Sequence, residues 1–151
     1  MKFLIFFIYF SSNLFAEESV TSNPSNISPE AISRINNSYL AKIKPLFKRA
    51  CFDCHSDTPE YPWYHSIPGI KQLMDHHIAE GVRHLDLSKD YPFKGSKKGL
   101  KHDLEEIWET IDEGEMAPLY YRIMHSHGRY SAEDKLIIKT WVEESLKEFT
   151  P

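Results

Sequence analysis

Cysteine is scarce in this chain. Cys51 and Cys54 are the only two among 151 residues, which excludes a framework of several disulfides. It also excludes a zinc site made of cysteine alone, because structural zinc takes four ligands. Positive charge is not in excess either: Lys plus Arg total 18 against 22 Asp plus Glu, a formal charge of −4. That removes the basic face nucleic acid requires and the polybasic patch that holds an anionic membrane. No apolar run approaches the roughly 20 residues of a membrane-spanning helix. No segment alternates at period two, so a sheet is not expected. There is no internal repeat.

The longest apolar run, Phe3 to Phe10 ("FLIFFIYF"), follows Met1-Lys2 and precedes a polar stretch ending at Ala16. This is the pattern of a secretory signal peptide over residues 1–16. It places the protein in an exported, periplasmic setting; left uncut, the same segment would anchor it. Residues 17–34 open with "EESVTSNPSNISPE", rich in Ser, Asn, Glu and Pro, and read as a flexible leader. Residues 35–150 then form one domain. Apolar residues at 41% and charged residues at 26% leave that domain a modest core, to which a large apolar cofactor would add.

The domain reads as all-α. Ile35, Leu40, Ile43, Phe47 and Ala50 recur at helical spacings, with Pro45 expected to kink or restart the helix. A second helix is expected from Pro68 to Gly81, with Ile70, Leu73, Met74, His77 and Ile78 on one face. A third carries Leu100, Leu104, Ile107, Trp108 and Ile111, and Gly114 stops it. A fourth starts from Ser131 as N-cap, with Glu133 and Asp134 in its first turn, and runs to about Phe149. Residues 84–99 and 115–130 read as loops. Phe47 and Trp141 are expected to pack the terminal helices together.

The chemistry sits in Arg49 to Ser56, "RACFDCHS". Four readings compete. Zinc would have to recruit two of the eight histidines, and the pairs His76/His77 and His125/His127 lack the usual finger spacing. A redox dithiol belongs beside a βαβ unit, absent from the pattern. A disulfide across three positions closes a very small loop and stabilises little. Haem uses every residue: C-x-x-C-H puts two sulfurs one helical turn apart on one porphyrin edge, with His55 beneath the iron. The reading is one covalently attached haem c.

An electron carrier needs a sixth ligand, and methionine opposite histidine raises the potential. Met74 and Met124 lie among apolar neighbours and read as core filler. Met116 lies in the restricted loop "EGEMAP" after a helix and is the expected distal ligand, with His125 and His127 as alternatives. Trp63, Tyr64, Tyr120 and Tyr121 flank the ligand segments and could wall the haem crevice. Arg83, Arg122 and Arg129 could meet propionates, though each more naturally lies on the surface. The run Lys94, Lys97, Lys98 and Lys101 could dock an acidic redox partner or simply be solvated.

Together, "PLFKRA", "CFDCHSDTPEYPWYHSIPGIKQLMDHHIAEGVRHLDLS", "IDEGEMAPLYYRIMHSHGRYS" and "SAEDKLIIKTW" resemble the bacterial haem-binding domain family of small exported c-type cytochromes. The resemblance covers about residues 40 to 147, with Pro62-Trp63-Tyr64 matching the family's Pro-Trp-Tyr cluster. It implies a cytochrome c-like helical fold, haem on Cys51 and Cys54, His55 proximal and Met116 distal. Ala117 stands where the family has the first proline of Gly-Glu-Met-Pro-Pro, and residues 88–99 depart from the pattern. The function so implied is one-electron transfer with a redox partner protein, and not an enzyme. The rivals are a ligand sensor and a peroxidase-like protein with an open distal side.

Overall fold

The computed structural model describes residues 27–90 and 98–149. The expected signal peptide, most of the expected leader, and Lys94 and Lys97 lie outside the described residues.

The chain is all-α, and no strand occurs among the described residues. Helix α1 spans Pro29–Ser38 and α2 spans Lys44–Ala50, joined by a π-helical turn at Tyr39–Ile43. Ser28 caps α1 by accepting from the Ala31 amide at 3.1 Å, and Pro29 sits in its first turn. The domain therefore begins inside the stretch read as leader: Ser-Pro is a helix start, and Ala31 and Ile35 give the segment something to bury. Pro45 restarts the helix, as α2.

The π turn has a packing reason. Ile35, Tyr39, Ile43 and Phe47 are all buried and four residues apart. Three four-residue steps overshoot a 3.6-residue period by about 1.2 residues. The wider i→i+5 turn takes up that overshoot and keeps the stripe facing inward.

Against this stripe pack α5 (Leu100–Asp112) and α7 (Ala132–Lys147). Helix α5 contributes Leu104, Ile107 and Ile111; α7 contributes Ile138, Trp141 and Val142. Tyr39 meets Phe47 edge-on at 6.1 Å and Trp141 at 6.0 Å. Both helices begin and end where the sequence indicates. Ser131 accepts from the Asp134 amide at 3.1 Å while Asp134 accepts from the Ser131 amide at 2.9 Å, a reciprocal cap. Gly114 leaves α5 at φ +77°, where a side chain would be strained.

Three elements build the other side: α3, a single turn at Phe52–His55; α4, Ile70–His84; and α6, Leu119–Met124. Helix α4 starts one residue beyond Pro68's neighbour Gly69, whose amide donates to the Gln72 side chain at 2.6 Å. It does not stop at Gly81 but runs on to His84. Within the stretch read as loop, α6 and a 3₁₀ turn at Ser126–Gly128 are ordered elements.

Candidate functional site

The site begins at the junction of α2 and α3. Cys51 ends one helix and precedes the other, and its carbonyl accepts from the Cys54 amide at 3.1 Å and the His55 amide at 2.9 Å. One tight turn thus separates the two sulfurs, and they are not joined to each other. Burial pushes the Cys51 thiol up to about 12, partly offset by Tyr130, whose hydroxyl lies 3.1 Å from Sγ. Burial, with the neighbouring Asp53 charge, raises Cys54 too. These surroundings favour a neutral sulfur over a thiolate.

His55 is fixed from behind. Its Nδ1 lies 3.0 Å from the Leu85 carbonyl, so Nδ1 carries the proton and donates, leaving Nε2 as the ligating nitrogen. The His55 carbonyl accepts from the Leu87 amide at 2.7 Å, and Leu87 is fully buried. Burial holds His55 below the usual histidine range, against the pull of the Leu85 carbonyl, and keeps the ring neutral.

Gly81 sets how closely this turn sits on α4. A Cβ there would fall 2.2 Å from the Cys54 carbonyl oxygen, well inside contact distance. The glycine is a crossing point between backbones.

Cys51, Cys54 and His55 open onto a cavity of about 410 Å³, within the range of small-molecule and cofactor sites. Phe47, Leu85, Leu87, Ile107 and Ile111 make much of its wall. Met116 reaches the same cavity from the α5–α6 loop. That loop hangs from α5: the amides of Glu115 and Met116 both donate to the Thr110 carbonyl, at 2.9 and 3.1 Å. Arg122 donates to the Gly114 carbonyl at 3.1 Å and holds the loop's other side.

The aromatic residues divide. Tyr120 and Tyr121 line the cavity. Tyr120 pairs with His77 Nδ1 at 2.9 Å, and Tyr121 donates to Asp53 Oδ2 at 2.6 Å. Tyr64 lines a smaller neighbouring cleft instead, and Trp63 lines neither and is 78% exposed.

A family comparison decides what occupies this arrangement. The model of the haem-binding domain family matches residues 10–144. This chain belongs to the haem-binding domain family. A cytochrome c peroxidase of Escherichia coli (strain K12) is 27% identical over 146 residues, which is 96% of this chain and 30% of that protein. The chain thus spans under a third of that relative's length. No solved structure matches it.

The residues present fit a haem. The cavity offers the two neutral sulfurs, one imidazole with a free nitrogen, one thioether from the α5–α6 loop, and an apolar wall. They fit zinc poorly. Among the described residues, no cluster of three metal-ligating side chains includes either cysteine. A dithiol on a βαβ unit has no strand to sit on.

The haem-binding domain spends its arginines elsewhere. Arg83 pairs with Glu80 on its own helix, and Arg129 Nε donates to the Arg122 carbonyl at 3.1 Å. Of the lysine run, Lys98 and Lys101 face Glu106 and Glu105 at 3.4 and 4.0 Å, so their charge is locally answered. Four contributors escape sequence reasoning: the Leu85 and Thr110 carbonyls, Gly81, and Tyr130. Backbone acceptors carry no residue-type signal at all. Gly81 did signal, but a glycine at a helix end and one at a crossing look alike.

Proposed function

We propose that this haem-binding domain is an exported, periplasmic one-electron carrier with a single covalent haem c. Cys51 and Cys54 would hold the haem as thioethers, each S–H consumed in adding across a vinyl C=C with no net oxidation. His55, through Nε2, and Met116, through its sulfur, would ligate the iron. The carrying observation is that all four side chains line one cavity. A haem held there supplies a one-electron ferric–ferrous couple. The protein's part is to orient His55 through the Leu85 carbonyl, to keep water from the apolar wall, and to mount Met116 on α5. Electrons come from a redox partner protein.

The test is an optical spectrum of the full chain made with c-type maturation machinery. A covalent haem with the long-wavelength ferric methionine–iron band is expected. Met116→Ala should abolish that band and leave a haem that binds CO in its ferrous form. Absence of the band in the unaltered protein, with immediate CO binding, would overturn Met116 as ligand and favour the sensor reading.

A second reading follows from the peroxidase relative. Reducing a peroxide to water takes two electrons, while one haem in this role passes one at a time. On this reading the domain relays electrons to a peroxidase centre outside residues like its own. It predicts that the isolated chain shows no peroxide turnover above free haem. Turnover would make the domain itself peroxidase-like.

A further inference from the structure

Beside the haem cavity, and unused by it, stands a second group of ligating side chains. Asp53, His125 and His127 bring one ligand atom each within 4.8 Å of one another. They come from separate parts of the chain: Asp53 from α3 between the two cysteines, His125 from the end of α6, His127 from the 3₁₀ turn that follows.

The cluster is braced from outside. The Tyr121 hydroxyl donates to Asp53 Oδ2 at 2.6 Å. The Tyr64 hydroxyl lies 2.5 Å from His125 Nε2. The His125 ring stacks on Tyr121 at 4.3 Å and 10°, and His127 stands edge-on to His125 at 5.4 Å. The turn bearing His127 is pressed onto the same tyrosine: a Cβ at Gly128 would lie 2.5 Å from Tyr121 Cε1. Ligating histidines and carboxylates in metal sites carry such outer hydrogen-bond partners.

We propose that Asp53, His125 and His127 bind one first-row divalent transition-metal ion beside the haem. Two imidazoles and a carboxylate suit zinc-like ions. Calcium and magnesium, which take oxygen ligands, are poorly served. Atoms spread over as much as 4.8 Å are wider apart than bonds of about 2 Å to one ion allow, so side-chain rotation would have to close the site on the ion. The ion would tie the cysteine-bearing turn to the segment after α6. The remaining coordination positions would go to water, because His127 is exposed.

The probe is Zn²⁺, added by calorimetric titration to the haem-loaded full chain after chelator treatment. One ion per chain is expected. His127→Ala should weaken binding at least tenfold with an unchanged haem spectrum, and Asp53→Asn likewise where the haem is still attached. His102→Ala, in an acidic group on α5, should change nothing. Zinc-edge X-ray absorption should show two imidazole nitrogens, oxygen and no sulfur. No stoichiometric binding, affinity unchanged by His127→Ala, or sulfur in the shell would each overturn the proposal.

Discussion

The helices fall into two groups that differ in what they bury. Helices α1, α2, α5 and α7, with the π turn that joins the first two, hold nearly the whole buried core, including Tyr39, Phe47, Leu104 and Trp141. Helices α3, α4 and α6 contain no buried residue at all. Yet α4 carries Ile70, Leu73, Met74 and Ile78, and α6 carries Leu119, Tyr120, Ile123 and Met124. Leu73, Leu119 and Ile123 are more than half exposed. One group is stabilised by its own side chains. The other leaves apolar surface uncovered, with Ile70, Leu73, Met74, Ile78 and Met124 on the smaller cleft, and it meets the haem cavity through Cys54, His55, Gly81, Tyr120 and Tyr121, where a bound haem would add packing. Binding a ligand only in the folded state adds its binding free energy to stability, so the two groups should fail under different insults.

Removing the haem attachment should separate them most sharply. Cys51→Ser/Cys54→Ser should remove the proposed covalent attachment, and amide exchange should then quicken in α4 and α6 far more than in α5 and α7. Uniform loss of protection would mean that the groups fold as one unit. Trp141→Ala attacks the other group. It should cost about 3–5 kcal/mol in denaturant unfolding, while the haem spectrum of the folded fraction stays the same. Gly81→Ala tests the joint between them. The added Cβ meets a backbone carbonyl that cannot swing away, so a cost of about 1–3 kcal/mol is expected, with a smaller share of chains carrying haem.

The smallest effect belongs to the cap of α7. Ser131→Ala should cost about 1 kcal/mol. Burial alone would raise the Asp134 carboxyl, but Ser131 and Arg49 outweigh it and hold it below the usual carboxylate range. A folded pKa below the unfolded one stabilises above the unfolded value, near 3.9, and that contribution is lost as pH falls through the folded one. Asp134→Asn should therefore lower the thermal midpoint at pH 7, and the gap should close as pH drops below about 4.

The self-packed group was the legible one. Helices α5 and α7 announce themselves by apolar residues at helical period, a Ser131 cap and a Gly114 stop, all local features that survive in the fold. The cavity group was legible in one motif: Cys51, Cys54 and His55, grouped by their spacing in the sequence, line one cavity in the structure. Its architecture was obscured because much of what fixes it is backbone: the Leu85 and Thr110 carbonyls and the Cys54 carbonyl against Gly81. The shared apolar face of α4 was read from its spacing, but the structure lays that face along the smaller cleft without a buried residue. Helix α6 has only six residues, too few to display a period after Pro118. Trp63, expected at the crevice wall, stands in solvent, its ring edge-on to its neighbour Tyr64 and away from the cavity.

The Thr110 carbonyl has a consequence for how such a protein can change. It holds the amides of Glu115 and Met116, and a carbonyl belongs to every residue type. Substitution can alter the group that projects from position 116 but cannot delete the bracket it hangs from. The loop is a socket: histidine, lysine or alanine could be seated there without redrawing the helix behind it. With Met116 as the proposed iron ligand, a lineage could thus retune or open its iron by a single codon, while inheriting the geometry unchanged.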